Sequence, residues 1–494
     1  MRLADLLPAV DAQLVAGSPD TEINGITNRS GDVAPGFLFV AWQGMEHDGH
    51  DYIPEALRRG AVAVVVERDI AIPKGVAVVR VADGRASLPL LVAHFYGDPS
   101  HELRVVGITG TSGKTTTAFL TEAVFNQTGH RTGLIGTIWV KIGDQITVAE
   151  ATTPEATDLQ RIFAQMVQVQ TEYVIMEVSS HALELRRVDE TRFTVGVFTN
   201  ISHEHLDFHK TFDNYIKAKR KLFEQMSDDT EVPSWAVINT DDPEGAKLAA
   251  ELSIPVIRFG LSESADLYAS RIRVSPQGTT FIVHYRGESC LMKLKLIGRV
   301  NVYNALAATG VALTQGLSLA AIADTLGKVT GVPGRFETVD RGQDFTVVVD
   351  YAHKPDALEK VLCTCRELCP GRIITVFGCG GERDTAKRPV MGEIAARHSD
   401  LIILTSDNPR REDPLAIAHE ISVGCAKVGK EFILILDRAQ AIHAAVAQAG
   451  AGDLILIAGK GHETYQIFAD QIIDFDDREV AQRAIERVLS QKPS

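Results

Sequence analysis

The stretch Gly107-Ile-Thr-Gly-Thr-Ser-Gly-Lys-Thr-Thr116 follows an apolar, β-branched run at 103–108 and precedes a helical pattern at 115–128 that stops at Gly129. Strand, glycine loop and helix in that order predict a phosphate cradle. Glycines let the backbone wrap closely around phosphate oxygens, and successive N–H groups with the helix N-terminus bind the negative charge. Gly110, Thr111, Ser112, Gly113 and Thr116 would line the cradle. Lys114 would reach the β- and γ-phosphates, and the Thr115 hydroxyl would help to hold Mg²⁺. The glycines stand at 107, 110 and 113, whereas the strict Walker pattern needs one at 108, where this chain has Ile. A nucleotide loop alone fits a kinase, a switch, a motor or a ligase, so the rest of the chain has to decide.

Downstream, strands are expected at 173–178, 195–199 and 236–239, each running into polar residues: Glu177-Val-Ser-Ser-His181, Thr199-Asn200 and Asn239-Thr-Asp-Asp242. In open α/β sheets the site lies beyond the carboxyl ends of the strands, so these residues predict one crevice. Upstream, residues 1–97 read as a small α/β unit, with strands at 37–42, 62–66 and 76–81 and a helix at 88–96. Turn formers at 97–102 end it. The turn-rich Gly331-Val-Pro-Gly-Arg335 marks a second boundary. Beyond it strands at 345–350, 373–377, 401–405, 432–436 and 454–458 alternate with helices, the pattern of a doubly wound domain. The expected fold is therefore α/β in three domains: 1–97, a central mostly parallel sheet at 98–333, and a Rossmann-like domain at 334–494.

A chain of 494 residues is too long for one hydrophobic core. Its formal charge of −14 argues against nucleic acid or an anionic membrane as the main partner. No apolar run reaches the roughly 18 residues of a spanning helix. The opening Met1-Arg-Leu-Ala-Asp-Leu-Leu-Pro lacks a secretory segment, so a cytoplasmic, non-membrane protein is expected. Cys363, Cys365 and Cys369 fall in a helical run at 355–369 without a second Cys/His pair at zinc spacing, and read as ordinary core or surface residues.

Glu177, at a strand end facing the loop, suits a hard Mg²⁺ ion or is simply solvated. Ile201-Ser-His-Glu-His-Leu-Asp-Phe-His209 could bind metal or form a polar loop. By itself, Tyr215-Ile-Lys-Ala-Lys-Arg-Lys221 reads as a solvated cationic helix face.

Taken together, the sequence resembles the Mur ligases over its whole length, and among them the members that add the third residue of the peptidoglycan stem peptide. The resemblance rests on blocks in the family's order: Thr-Gly-Thr-Ser-Gly-Lys-Thr-Thr at 109–116, Glu-Val-Ser-Ser-His-Ala-Leu at 177–183, Tyr-x-x-Ala-Lys-x-x-Leu-Phe at 215–223 and Gly-x-x-Asn-Val-x-Asn-Ala-Leu at 298–306. Val-Pro-Gly-Arg-Phe-Glu at 332–337, Asp-Tyr-Ala-His-x-Pro-Asp at 350–356 and Phe-Gly-Cys-Gly-Gly-Glu-Arg-Asp at 377–384 follow. Asp-Asn-Pro-Arg at 407–410 and Gly-Lys-Gly-His-Glu at 459–463 complete the set.

The resemblance implies roles. Lys219 would be carbamylated by CO₂ and, with Thr115, Glu177 and His205, would hold Mg²⁺; a free lysine cannot do so. Asn304, Arg335, Asp350 and His353 would contact ATP. Ser30, Met45, Glu46 and His47 fall where the family grips uridine diphosphate, in an N-terminal UDP-binding domain. Thr152, Thr153, Ser180 and Arg187 would hold the muramoyl-dipeptide arm. Departures are Ala151 where relatives often have Asn, Leu185 where some have Gln, and Glu204-His-Leu-Asp207 for Asp-His-x-Asp. Arg383, Asp407, Asn408, Pro409, Arg410, Gly459 and Glu463 would form the amino-acid pocket. Members that accept meso-diaminopimelate carry an arginine like Arg410, and a guanidinium can bind the second carboxylate of that acceptor bidentately.

The implied reaction is the ATP-dependent addition of meso-diaminopimelate to the D-Glu γ-carboxylate of UDP-MurNAc-L-Ala-D-Glu through an acyl phosphate. The C-terminal domain is expected to close over the central one after ATP binds. Other readings are the same ligase using L-lysine, a folylpolyglutamate synthetase, a nucleotide-gated switch or motor, and a non-catalytic scaffold. A monomer is expected.

Overall fold

The computed structural model describes residues 1–44, 47–228 and 233–491. The chain divides into two compact units. One comprises Met1–Ala269, Val283–Cys290 and Tyr303–Thr325; the other comprises Ser270–Ile282, Leu291–Val302 and Leu326–Ser494.

The first unit begins with a five-stranded sheet in the order Ala12–Ala16, Ala77–Val81, Ala63–Val66, Phe37–Val40, Gly25–Thr27. The first pair is antiparallel and the rest are parallel. Period-two alternation decides its faces: Leu38, Val40 and Val65 enter a core with Leu88 and Leu91, while Phe39, Val64 and Val66 enter another with Ile53 and Ala56. The helix expected at 88–96 runs Gly84–Phe95, because the Asp83 carboxylate caps it by accepting from Ala86 N at 2.8 Å. The edge strand Ala12–Ala16 carries no apolar run, its residues being half-buried or exposed, and the sequence gives no sign of it.

The large sheet of this unit places the loop-bearing strand Arg104–Thr109 in its middle, between Tyr173–Glu177 and Phe193–Phe198. Thr132–Ile135 continues one side in parallel, followed by the antiparallel pair Trp139–Ile142 and Gln145–Val148. Trp235–Asn239 and Val256–Gly260 continue the other side, also in parallel. Strands buried on both faces read as continuous Val/Ile runs, which is why the inner ones fall within a residue or two of expectation while the exposed hairpin escapes it.

In the second unit a six-stranded sheet runs Glu337–Thr338, Thr346–Asp350, Leu454–Ala458, Ile373–Phe377, Leu401–Leu404, Ile433–Leu434. All its pairs are parallel except the first. Val348, Leu456 and Phe377 pack on one face, Val347, Val349, Ile455 and Ile457 on the other. The strand expected at 432–436 shrinks to Ile433–Leu434 at the edge of the sheet, where Phe432 and Leu434 are exposed. Helix Pro355–Leu368 carries exposed Cys363 and buried Cys365, with buried Cys369 as its C-cap, and all three are unpaired. Among the described residues no helix is long and apolar enough to cross a membrane.

Candidate active site

The glycine loop leaves strand Arg104–Thr109 and enters helix Lys114–Gln127 through Gly113, the N-cap, at φ +85°. Gly110 also sits at positive φ, +147°, and a Cβ there would collide with the Thr199 hydroxyl. The next strand end braces the loop. Thr199 Oγ1 donates to Ser112 O at 2.7 Å, Asn200 Nδ2 donates to the same oxygen at 3.1 Å, and Ser112 N donates to Asn200 Oδ1 at 3.0 Å. Thr111 Oγ1 lies 3.0 Å from the Tyr215 hydroxyl. Asn304 sits under the helix start, where Thr117 Oγ1 donates to its Oδ1 at 3.4 Å. Strand-end Thr199 and Asn200 thus hold the loop's shape; the sequence showed them as polar but not in this role.

Lys114 Nζ folds back on its own loop, donating to Gly110 O at 2.8 Å and Thr111 O at 3.1 Å. Lys219 belongs to helix Phe212–Asp228 and is 2% exposed, which corrects the solvated-face reading of its cationic run. Its Nζ donates to Gly110 O at 2.8 Å and stands 4.5 Å from the Tyr215 ring centroid. Burial, reinforced by Lys114, holds the Lys219 amine well below the ordinary lysine range.

Glu177 is 1% exposed and gathers hydrogen-bond donors from separate segments. Thr115 Oγ1 donates to Oε2 at 3.0 Å, Thr137 Oγ1 to Oε2 at 3.1 Å and Thr137 N to Oε1 at 2.7 Å. A Cβ on Gly136 would stand 2.5 Å from Oε1 and displace the carboxylate from this position. Neither Gly136 nor Thr137 was expected. Of the expected metal group, Thr115 and Glu177 are in direct contact, while Lys219 meets the loop at Gly110. His205 has φ +55°. Desolvation, with Lys114 and Lys219, lowers its imidazole to about 4. A hydroxyl and a carboxylate are hard oxygen donors of the kind Mg²⁺ takes beside phosphate oxygens and water, so this pair fits the ion. Among the described residues, no cluster of three His, Cys, Asp or Glu side chains is arranged for a metal.

Thr152 Oγ1 lies 3.1 Å from Thr137 Oγ1, which links the expected dipeptide residues to the Glu177 network. Thr153 is buried, donating to Glu177 O at 2.8 Å and accepting from Ser179 N at 3.0 Å. Arg187 donates to Thr153 O at 3.1 Å and pairs with Glu155 at 2.6 Å. Buried Ser180 shares a 3.0 Å contact with His209 Nε2. A cleft of about 240 Å³ opens beside them, lined by Asn28, Trp42, Arg85, Leu185 and Arg187 among others. Asn28 Oδ1 and Arg187 Nε are buried there without a protein hydrogen-bond partner, the state of groups that a ligand could satisfy. Ser30 donates to Glu55 Oε2 at 2.8 Å, and His47 is exposed. Met45 and Glu46 lie outside the described residues.

In the second unit the expected residues crowd the carboxyl ends of the strands. Asp350 is buried and accepts from Phe336 N at 2.7 Å and Ala352 N at 2.8 Å, fixing the turn that carries Arg335. Burial pushes its carboxyl up. Arg335 lies over the Tyr351 ring at 4.9 Å. His353 Nδ1 meets Tyr351 O at 2.8 Å, and desolvation with Lys387 nearby lowers the imidazole to about 4. Asp407 and Asn408 are buried; Asn408 Nδ2 donates to Glu463 Oε2 at 2.9 Å. After Pro409, Arg410 takes φ +55° and donates to Gly381 O at 2.7 Å. Gly459, at φ +117°, lies so close to Asp407 that a Cβ would stand 2.6 Å from its Oδ2. Arg383 is exposed and donates to Glu382 O at 3.1 Å.

Three buried cations escaped the sequence reading. Arg388 donates to Gly380 O and pairs with Glu412 and Glu420. Arg438 makes a fully buried pair with Asp477 at 2.7 Å and donates to Ser406 O and Ala458 O. Lys460, 0% exposed, bonds Asn408 Oδ1 at 3.0 Å and Glu463 Oε2 at 2.9 Å. A buried arginine has no local signature in sequence, although Lys460 lies inside a quoted block.

The chain matches the Mur ligase family, catalytic domain, at 22–96, the Mur ligase middle domain at 108–312, and the Mur ligase, glutamate ligase domain, at 334–461. It is 45% identical to UDP-N-acetylmuramoyl-L-alanyl-D-glutamate–2,6-diaminopimelate ligase of Syntrophomonas wolfei subsp. wolfei, over 97% of this chain and 98% of the relative. It is 46% identical to the protein of the same name from Geobacter metallireducens, over 100% and 99%. A solved structure of a ligase of that name is similar with TM-score 0.70 and 31% identity, covering 99% of each chain. The ADP complex of a ligase from Thermotoga maritima shares the fold, with TM-score 0.62 and 20% identity over 96% of this chain and 99% of that one. The phosphate loop, the sheets that carry it and these full-length likenesses agree: the chain belongs to the Mur ligase family.

Proposed function

We propose that the protein is the ATP-dependent ligase that joins meso-diaminopimelate to the D-Glu γ-carboxylate of UDP-MurNAc-L-Ala-D-Glu, a step of peptidoglycan precursor synthesis in the cytoplasm. The observation that carries this reading is the acceptor pocket. Arg410 follows an Asn408 that is hydrogen-bonded to Glu463, so a guanidinium and a carboxylate stand at the same strand ends. Those are the groups needed for the distal carboxylate and the distal ammonium of a diamino diacid. L-Lysine would leave Arg410 without its partner.

A carboxylate is a poor electrophile at neutral pH, and ATP overcomes this by phosphorylation. The D-Glu carboxylate attacks the γ-phosphorus, ADP leaves, and an acyl phosphate forms. The acceptor amine then attacks the acyl carbon, and phosphate leaves. Lys114, released from its loop carbonyls, would place positive charge against the transferring phosphoryl group. Thr115 and Glu177 would hold Mg²⁺, which when bound supplies charge neutralisation on the phosphates. Lys219, bearing a CO₂-derived carbamate, would join that group with His205; a buried, readily deprotonated amine is the form that reacts with CO₂. Asn304, Arg335, Asp350 and His353 are assigned to ATP. Thr152, Thr153, Ser180 and Arg187, beside the cleft, are assigned to the dipeptide arm, and Ser30 and His47 to the UDP end. Arg383 joins Asp407–Arg410, Gly459 and Glu463 around the acceptor. The protein acts as a monomer.

The test is phosphate release with ATP, Mg²⁺ and UDP-MurNAc-L-Ala-D-Glu, with meso-diaminopimelate or L-lysine added in parallel and the product weighed by mass spectrometry. Turnover that requires meso-diaminopimelate supports the reading. Turnover with lysine instead overturns the acceptor assignment, and phosphate release indifferent to acceptor overturns the ligase.

A further inference from the structure

Lys460 has no assigned part in the reaction, yet it is a fully enclosed cation of the acceptor pocket. Its side chain is wholly buried, and Nζ reaches both Asn408 Oδ1 and Glu463 Oε2. Asn408 Nδ2 donates to the same Glu463 oxygen, closing a triangle of lysine, amide and carboxylate. Ile467 N donates to Asn408 Oδ1 at 3.0 Å, and Lys460 Nζ lies 5.5 Å from the Tyr465 ring centroid, so the triangle is fastened to the backbone and walled by an aromatic ring. Burying an ammonium costs several kcal/mol unless it is paired, and a solvated surface offers cheaper ways to fix a glutamate, so its retention here calls for a reason.

The pairing itself supplies one. Glu463 is the carboxylate assigned to the distal ammonium of the acceptor, and Lys460 already compensates its charge at 2.9 Å. A compensated Glu463 suits a distal group that is itself zwitterionic, as the ammonium and carboxylate of a diamino diacid are. Lysine would bring a distal ammonium alone beside Lys460 and leave one positive charge uncompensated in a site of low dielectric.

We propose that Lys460 is a positioning residue that holds Glu463 in place and, by compensating that carboxylate's charge, makes the pocket reject acceptors with a net cationic distal end. The inference rests on the acceptor reading given above. Arg410 attracts the second carboxylate; Lys460 penalises its absence.

The experiment measures kcat/KM for meso-diaminopimelate and for L-lysine with the full-length wild type, Lys460→Met and Glu463→Gln, together with KM for ATP and a thermal melt. Lys460→Met should move the ratio of the two specificity constants about tenfold toward lysine, while KM for ATP changes less than about twofold. Glu463→Gln removes the opposite charge and should move the ratio away from lysine. Equal loss for both acceptors in Lys460→Met, with no change in ratio, overturns the proposal and leaves Lys460 a packing residue. If Lys460→Met shows no cooperative melt, Glu463→Gln decides, and an unmoved ratio there overturns it. A wild type that consumes neither acceptor overturns the reaction itself, an outcome separate from a wild type that prefers meso-diaminopimelate and a variant that keeps the preference.

Discussion

Lys114 and Lys219 donate to one and the same acceptor, the carbonyl oxygen of Gly110, each at 2.8 Å. Two ammonium groups on one oxygen repel, and the wholly buried member is the one driven to give up its proton. A neutral amine has the lone pair that CO₂ needs. Protein equilibrated with ¹³C-labelled bicarbonate should therefore show a carbamate carbon resonance that Lys219→Met lacks. The same variant should lose about 10²- to 10³-fold in kcat, the scale of one missing charge-stabilising group.

Thr137 supplies Glu177 with both a backbone and a side-chain donor. Thr137→Val keeps the shape and the N–H but removes the hydroxyl bond, a loss of about 1.5–3 kcal/mol for a charged acceptor. If Glu177 must be aimed, kcat should fall about tenfold, Thr137→Ser should restore it, and the Mg²⁺ concentration for half-maximal rate should rise. Unchanged Mg²⁺ dependence in Thr137→Val would show that the carboxylate needs no such brace.

Arg410→Lys preserves charge but loses the planar fork. The specificity constant for meso-diaminopimelate should drop by about 10²-fold, with KM for ATP unmoved, as steady-state kinetics with each substrate varied in turn would show. Equal activity of the lysine variant would mean that a point charge suffices.

Arg438 and Asp477 form an ion pair with both side chains 0% exposed. Arg438→Met strands a buried carboxylate and should cost about 3–5 kcal/mol in urea unfolding, whereas Arg438→Met with Asp477→Leu should recover much of it. The single variant should also raise KM for the acceptor, since Arg438 fastens the carbonyls of Ser406 and Ala458, which precede both halves of the pocket.

His353 titrates near 4 in the folded protein against an ordinary 6.5. The unfolded chain takes up this proton first, so the stability tied to the neutral ring is present above pH 6.5 and is lost as pH falls from there toward 4. Denaturant midpoints at pH 7 and pH 5 should differ less in His353→Gln than in the wild type. An equal difference would show that the ring is protonated at its usual pH.

Much of this architecture is legible in the chain because the strands that carry the site are buried on both faces. Val347–Val349 and 454–458 announce themselves as unbroken apolar runs. Gly113 and Lys114 are legible because few other residues tolerate that backbone and that ligand together. What escapes is of two kinds. Exposed strands such as Gln145–Val148 are held by their neighbours and are too short for their alternation to stand out. Bracing residues such as Thr199, Thr137 and Arg438 act on partners 20 to 90 positions away: Arg438 reaches Ala458 across 20 residues and Ser406 across 32, and Thr199 reaches Ser112 across 87 and Thr109 across 90. Lys219 lies between these extremes. Its neighbours Lys217, Arg220 and Lys221 make it look like one of a solvated set, and only the fold turns it inward.

The contact of Gly381 with the Pro409 carbonyl, where no Cβ would fit, makes heirs of two distant stretches of the chain. Gly378 meets the Thr405 carbonyl in the same way. Neither stretch can drift alone: a side chain gained at 378 or 381 displaces the turn that carries Arg410, and a shifted turn fills the space those glycines keep empty. A change of acceptor preference made at this turn would therefore have to leave the backbone of both stretches intact and work through the side chain at 410.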